Sequence, residues 1–325
     1  MTSHRLRLGF AALSVLASLW LTSQAHAGDT VRLAINLSPI SALPLIAKER
    51  GLFEKHGLDV RVSNFTTGRQ ALETVLGGGA DIATAAESPV TAATFAGQKV
   101  LLLARMEYSE LKTVVVAPGV KDVAGLKGKR IGYAAGTGSE VYTHELLKTA
   151  KLTKNDVTLV NLRPQDMIAA AASGSIDAYA IWEPYVANGR KALGSKASVL
   201  APSNVYSETF NVVVTEAYQA KNPRVTIAFL RALLEAERWL KANRNEAIAL
   251  VGKAVGLKAP ELAEIWNDYV FELVLDKRTL DVLTQHAQWR IDTGNAAGDA
   301  RAVPDFRKVI HSEALKQVAA ERVKI

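Results

Sequence analysis

A pattern that recurs 96 residues further along constrains this chain more than any other feature. Residues 79–89 read Gly-Ala-Asp81-Ile-Ala-Thr-Ala-Ala-Glu87-Ser-Pro89, and residues 175–184 read Ser-Ile-Asp177-Ala-Tyr-Ala-Ile-Trp-Glu183-Pro184. In both, a helix stops at glycine, an Asp opens a short apolar strand, and a Glu follows six residues later beside a Pro. An internal repeat means one supersecondary unit built twice. Two such units facing each other imply a cleft, with a Glu–Pro corner on each lip.

The surroundings repeat as well. Val31–Ile35 reads as a buried strand, and Lys129–Tyr133 matches it down to the arginine, Arg32 in one and Arg130 in the other. Helices are expected at 43–50, 68–76 and from Pro89, with strands at 58–62, 81–85 and 99–104. The second copy gives a helix from Thr137 to about Lys151, a strand at 157–162, a helix at 164–173 and a strand at 177–182. This β–α–β–α–β order argues for an α/β fold with mostly parallel sheets. Thr113–Val116 and Asn211–Val214 are extended segments able to link the lobes. Beyond Tyr218 the chain reads as helical, with helices at 224–242, 246–255, 260–270, 280–290 and 305–322 returning to the first lobe. The expected division is lobe 1 at 28–112 plus 212–325, and lobe 2 at 113–211.

At 325 residues and 49% hydrophobic content, two such lobes can each bury a core. Basic residues at His4, Arg5 and Arg7, an apolar stretch from Leu8 to Leu21 and Ala25-His26-Ala27 read as a cleavable secretory signal over 1–27. The apolar run is too short for a membrane span. The formal charge of +7 becomes +5 once the two arginines of that segment are gone. With no basic block, this charge is a solvated surface and gives no sign of nucleic-acid binding. Cysteine is absent, so neither a disulfide nor a lipid anchor is expected, and a periplasmic monomer fits best.

Chemistry-bearing motifs are few. Gly136-Thr-Gly138-Ser139-Glu140 sits between a strand and a helix, but Val141 breaks the dinucleotide glycine pattern and no Walker lysine is present. A helix start of this kind offers free backbone N–H groups to a small anion. Glu87 and Glu183 could pass for the carboxylate pair of a glycosidase; the repeat explains their pairing without catalysis, and ligand contact or loop fixing is the better reading. Trp182 offers a flat wall for stacking. No nucleophile elbow, zinc motif or cofactor signature occurs, and His56, His286 and His311 are expected in solvent.

The runs AINLSPISALPLIAKERGLFEKHGLDVRV, GGGADIATAAESPV, LKGKRIGYAAGTGSE and GSIDAYAIWEPY, within residues 30–245, resemble the nitrate/sulfonate/taurine-type periplasmic substrate-binding proteins of ABC importers. The resemblance implies the two-lobed periplasmic-binding-protein fold (type II) on a two-stranded hinge, with no cofactor or metal and no enzyme activity. Its implied ligand contacts are Ser38 and Pro39, Glu87 and Ser88, Thr137, Gly138 and Ser139, and Trp182 and Glu183. The implied partners are a small ligand and an inner-membrane permease with its ATPase. A sulfonate or taurine-like ligand is expected, with ammonium recognition by Glu183 or Glu140. Alternatives are a heteroaromatic ligand such as a pyrimidine or aromatic acid, a periplasmic sensor, and a pyrimidine-precursor synthase-like enzyme.

Overall fold

The computed structural model describes residues 28–325, and the expected export signal lies outside the described residues. Strands β1 (Asp29–Asn36), β2 (Leu58–Phe65) and β3 (Ile82–Ala86) run parallel in the order β2–β1–β3. Their connecting helices, Ala42–Glu49 and Gly68–Leu76, stop where glycine follows or nearly follows, as the sequence pattern requires. The eleven-residue β4 (Val100–Glu110) then leads through Leu111 into the second lobe.

That lobe holds β5 (Lys112–Val115), β6 (Arg130–Tyr133), β7 (Thr158–Asn161), β8 (Ala178–Ile181) and β9 (Ser198–Leu200), in the order β7–β6–β8–β5–β9. Its parallel triplet β7–β6–β8 copies β2–β1–β3 strand for strand. The chain returns as β10 (Ser207–Thr215), which pairs antiparallel with β4 from Ser207–Glu110 to Thr215–Val100. Both crossings therefore lie side by side, at Leu111 and at residues 201–206. The segments read as linkers, 113–116 and 211–214, lie instead within sheets, because each finds strand partners along its length.

Sequence periodicity misses the strands beyond Tyr218. The region beyond Tyr218, read as all helical, contains β11 (Tyr269–Asp276) beside β4, with β12 (Val323–Lys324) beyond it. Tyr269 and Phe271 point inward and Val270 outward, an alternation that belongs to a strand. Each sheet is parallel in its repeated triplet and antiparallel where the chain crosses back, and the larger sheet ends in one more parallel pair, β11 with β12, so parallel and antiparallel pairings are about equally common. The two lobes have separate apolar cores, one around Leu33, Ile82, Val213 and Phe229, the other around Val114, Leu146 and Ile181. Among the described residues no helix is long and apolar enough to cross a membrane.

The repeated Asp has a structural job. Asp81 accepts the Arg32 backbone N–H at 2.8 Å and its guanidinium at 3.1 and 2.6 Å. Asp177 accepts the same three donors of Arg130 at 2.8, 3.0 and 2.9 Å. Each carboxylate thus clamps the third strand of its lobe to the first. Burial alone would raise Asp81, but the Arg32 bonds outweigh it and hold the carboxyl below its ordinary range. The Arg130 side chain does the same for Asp177 against its partial burial. These clamps stabilise the lobes at neutral pH and lose that effect in acid, as pH falls through the lowered pKa values.

Asp81→Ala and Asp177→Ala should each lower the urea midpoint at pH 7 by similar amounts, and the double variant by their sum, because the sites belong to separate cores. Urea titration followed by circular dichroism measures this. A midpoint unmoved by either change contradicts the clamp assignment.

Candidate functional site

Between the lobes lies a gap lined by Asn36, Arg69, Glu208 and Phe210 on one side and Thr137 and Trp182 on the other. Its volume is about 10 Å³, room for one water at most, so the lobes are shut. Arg69, from the start of the helix Gly68–Leu76, donates through Nη1 to the Ala135 carbonyl across the gap at 3.2 Å. It lies over Gly136, whose φ of +72° and missing side chain make the approach possible: a Cβ there would stand 2.8 Å from Nη1. Deeper in, the Glu208 carboxylate lies against the backbone of Gly138. A Cβ on Gly138 would stand 2.2 Å from Glu208 Oε1, so glycine is a condition of closure.

Thr137, extended at φ −127°, caps the helix Gly138–Thr149 by accepting the Ser139 N–H at 3.2 Å. Ser139 Oγ donates to the Ala180 carbonyl at 2.6 Å and accepts the Ala134 N–H at 3.0 Å, tying the helix start to β6 and β8. Glu140 accepts the Gly136 N–H at 2.8 Å. Of the Thr137–Ser139 amides expected to face a ligand anion, that of Ser139 is taken by the Thr137 hydroxyl, and the neighbouring Gly136 amide by Glu140.

The two repeated glutamates part company. Glu87, at the start of the helix Glu87–Phe95, is wholly buried and accepts the Thr209 N–H at 2.7 Å and hydroxyl at 2.8 Å, leaving Oε1 without a partner. Glu183 turns to the Ala187 N–H at 2.8 Å, with the Lys112 ammonium 3.8 Å away. Its neighbour Trp182 lines the gap with its indole N–H unpartnered. Ser38 and Ser88 are buried with unpartnered hydroxyls, and Pro39 is buried in the turn after β1. So the gap brings Thr137, Gly138 and Trp182 together, places Ser38, Pro39, Glu87 and Ser88 behind its first lip, and leaves Ser139 and Glu183 fixing loops.

Glu208 and Arg69 are the site residues the sequence reading missed. Glu208 stands in no copy of the repeat. The one signal was a Glu two residues before Phe210 on the way into the apolar run Val212–Val214, where a charge is out of place on a buried strand. It forms a buried acidic group with Glu87 and Glu107, and dehydration pushes all three carboxyls up, Glu87 to about 7. A cavity of about 360 Å³ that shares Arg69 and Pro89 with the gap is lined by Arg69, ion-paired with Glu73 at 2.8 Å, and by Arg290. Arg290 is nearly buried and bonds to the Thr91 hydroxyl and the Ser88 and Asn295 carbonyls.

A family model described as "NMT1/THI5 like" matches residues 39–247. A putative aliphatic sulfonates-binding protein of Bacillus subtilis is 33% identical over 224 residues, which span 66% of this chain and 66% of that protein. A relative of the same description in Escherichia coli is 28% identical over 78% of this chain and 80% of its own length. Among solved structures, the periplasmic aliphatic sulphonate binding protein SsuA from Escherichia coli superposes with a TM-score of 0.74 at 24% identity, covering 87% of this chain and 92% of the other. The periplasmic nitrate-binding protein NrtA from Synechocystis PCC 6803 gives 0.70 at 16% identity, covering 90% and 89%. These likenesses show the two-lobed periplasmic-binding-protein fold.

Glu87 carries a proton in the folded chain between its ordinary pKa of 4.5 and about 7, where the unfolded chain has released it. The folded state therefore loses stability as pH rises through that window, by up to roughly 3 kcal/mol from this group. Glu87→Gln keeps the acceptor for Thr209 and removes the titration. Melting temperatures of both forms from pH 4.5 to 7 should converge in acid, with the wild type falling behind towards neutrality. A constant difference contradicts the assignment.

Proposed function

The chain belongs to the NMT1/THI5-like family, and on that premise we propose that it is the periplasmic solute-binding component of an ABC importer. It captures a small organic zwitterion or anion of the taurine and sulfonate type in the gap between its lobes. It acts as a monomer without chemistry of its own, and delivers the ligand to the inner-membrane permease and its ATPase. The observation that carries the ligand class is the polarity of the gap. The lining holds a dehydrated acid, Glu208, together with two donors, Arg69 and the unpartnered Trp182 indole N–H, and Arg290 lines the adjoining cavity. An ammonium at Glu208 and a sulfonate facing Arg69 and Trp182 satisfy both kinds of group. Ser38 and Ser88, with free hydroxyls behind the lip, stand ready to complete the oxygen contacts.

The mechanism follows from the hinge. The lobes join through Leu111 and residues 201–206 alone, so they part without disturbing either core. A ligand that touches both lobes favours the shut form over the open one, and the permease reads the shut form. Nitrate, which brings no donor, leaves Glu208 unmatched. A heteroaromatic ligand is the second reading: a ring N–H on Glu208 with the ring between Trp182 and Phe210 uses the same acid.

Calorimetry with taurine, ethanesulfonate and an aminopyrimidine distinguishes these. Taurine should bind at least about tenfold more tightly than ethanesulfonate, the worth of one hydrogen bond between charged groups. Glu208→Gln should abolish most of that difference. Equal affinity of the two sulfonates for the wild type overturns the zwitterion assignment, and binding of the aminopyrimidine alone establishes the second reading in its place.

A further inference from the structure

Glu208 shares its surroundings with two other acids. Glu87, from the helix Glu87–Phe95, and Glu107, from β4, are wholly buried beside it. In the pairing of β4 with β10, Glu208 lies opposite Ser109 and Glu107 opposite Phe210, so both acids point from one face of the sheet. Tyr269 of β11 lies opposite Ser109 on its other side, with an unpartnered hydroxyl. Both oxygens of Glu107 and Oε1 of Glu87 are also unpartnered. The second lobe covers this group: a Cβ on Gly138 would stand 2.2 Å from Glu208 Oε1, and Thr137 and Trp182 line the gap with it. Parting the lobes removes that cover and returns Glu208 to water.

Among the described residues no cation lies within 4 Å of any of these three carboxyls, and the basic groups around them are taken. Arg105 of β4 pairs with Asp276 at 2.8 Å and Glu272 at 3.9 Å. Lys112, next to the hinge, pairs with Asp268 at 2.5 Å and Glu183 at 3.8 Å. Arg69 pairs with Glu73 at 2.8 Å. His286 was expected in solvent but is 3% exposed, because the helix Lys277–Asp292 lays it against the helix Glu87–Phe95, with Nδ1 2.7 Å from the Thr91 hydroxyl. Burial and the neighbouring Arg290 keep that ring neutral by lowering its pKa well below the ordinary value. Dehydration raises the Glu107 and Glu208 carboxyls well above 4.5, and the nearby Glu87 adds to the rise at Glu208.

Resting on the capture reading of the gap, we propose that closure is proton-linked: in the empty protein a proton on Glu208 stands in for the ligand's ammonium, so acid shuts the lobes and neutral pH parts them. The open form carries a solvated carboxylate, the empty shut form the neutral acid. Closing empty therefore takes up one proton from solvent, and closing on an ammonium takes up none. Between the ordinary carboxyl value in the open form and the raised value in the shut form, each pH unit downward multiplies the shut-to-open ratio about tenfold. Below that window both forms hold the proton and above it neither does, so the ratio is level at both ends. The Lys191–Glu261 ion pair between the lobes, at 2.8 Å, stays charged through the window, because Lys191 holds the Glu261 carboxyl below its ordinary range.

Small-angle X-ray scattering on the ligand-free mature chain from pH 4.5 to 8 reads the lobe separation, and circular dichroism checks that the fold persists. The wild type should pass from a larger to a smaller radius of gyration as pH falls, with no more than about a tenfold change in the open-to-shut ratio per unit. Glu208→Gln is neutral at every pH and should hold the smaller radius throughout. Gly138→Leu puts a side chain where the Glu208 carboxylate lies and should hold the larger radius throughout. A wild-type radius that stays constant across this range, or a Glu208→Gln chain that keeps the wild-type transition, overturns the proposal. One radius shared by all three chains at every pH overturns the capture reading as well, because the lobes then never part. No ligand enters the experiment, so a wrong ligand class in the gap leaves the result unchanged.

Discussion

Everything at the lobe junction depends on the dehydrated carboxylate of Glu208. It is carried by β10 of the first lobe, yet it lies against the backbone of Gly138 in the second. Closing the lobes takes this group out of water beside two further buried acids, Glu87 and Glu107. A charge so placed costs several kcal/mol unless it is neutralised by a proton or matched by a cation. Under the proposed function, this one side chain makes empty closure costly and loaded closure favourable. That is the bias a capture protein needs if only its loaded form is to be presented onward.

The rest of the fold delivers that side chain to its place. The duplicated triplets β2–β1–β3 and β7–β6–β8, each clamped by an Arg–Asp pair, give two rigid bodies with independent cores. The long pair β4 and β10 belongs wholly to the first body and brings both crossings to one edge. Glycines at 136 and 138 then let Arg69 and Glu208 reach across, because a Cβ at either position would collide with them. Elsewhere along the junction the lobes meet through the Lys191–Glu261 ion pair and the His144–Trp289 ring contact.

How far this could be read from the sequence follows from which interactions are local. Helix ends at glycine, the apolar strands and the duplication were legible because each is written within a few residues, and the matched arginines Arg32 and Arg130 even hinted at the clamp. The strand Tyr269–Asp276 was hidden among helices, although Tyr269, Val270 and Phe271 alternate inward and outward. His286 was misjudged because its burial comes from a helix nearly 200 residues away in the chain. Glu208 was invisible for the same reason: its significance lies in Gly138, Glu87 and Glu107, brought to it by tertiary folding alone. The Ser139 amide looked free because local sequence shows which donors exist, but not that the Thr137 hydroxyl turns back to take it.

The central claim is that the acid in the gap, and not the helix start, faces the ligand's most specific group. A crystal structure of the protein with taurine tests it directly. The account predicts shut lobes with the ammonium within hydrogen-bond distance of the Glu208 carboxylate and the sulfonate turned to Arg69 and the Trp182 indole. A sulfonate seated on the Gly138 and Ser139 amides, with Glu208 displaced from the gap, would contradict it.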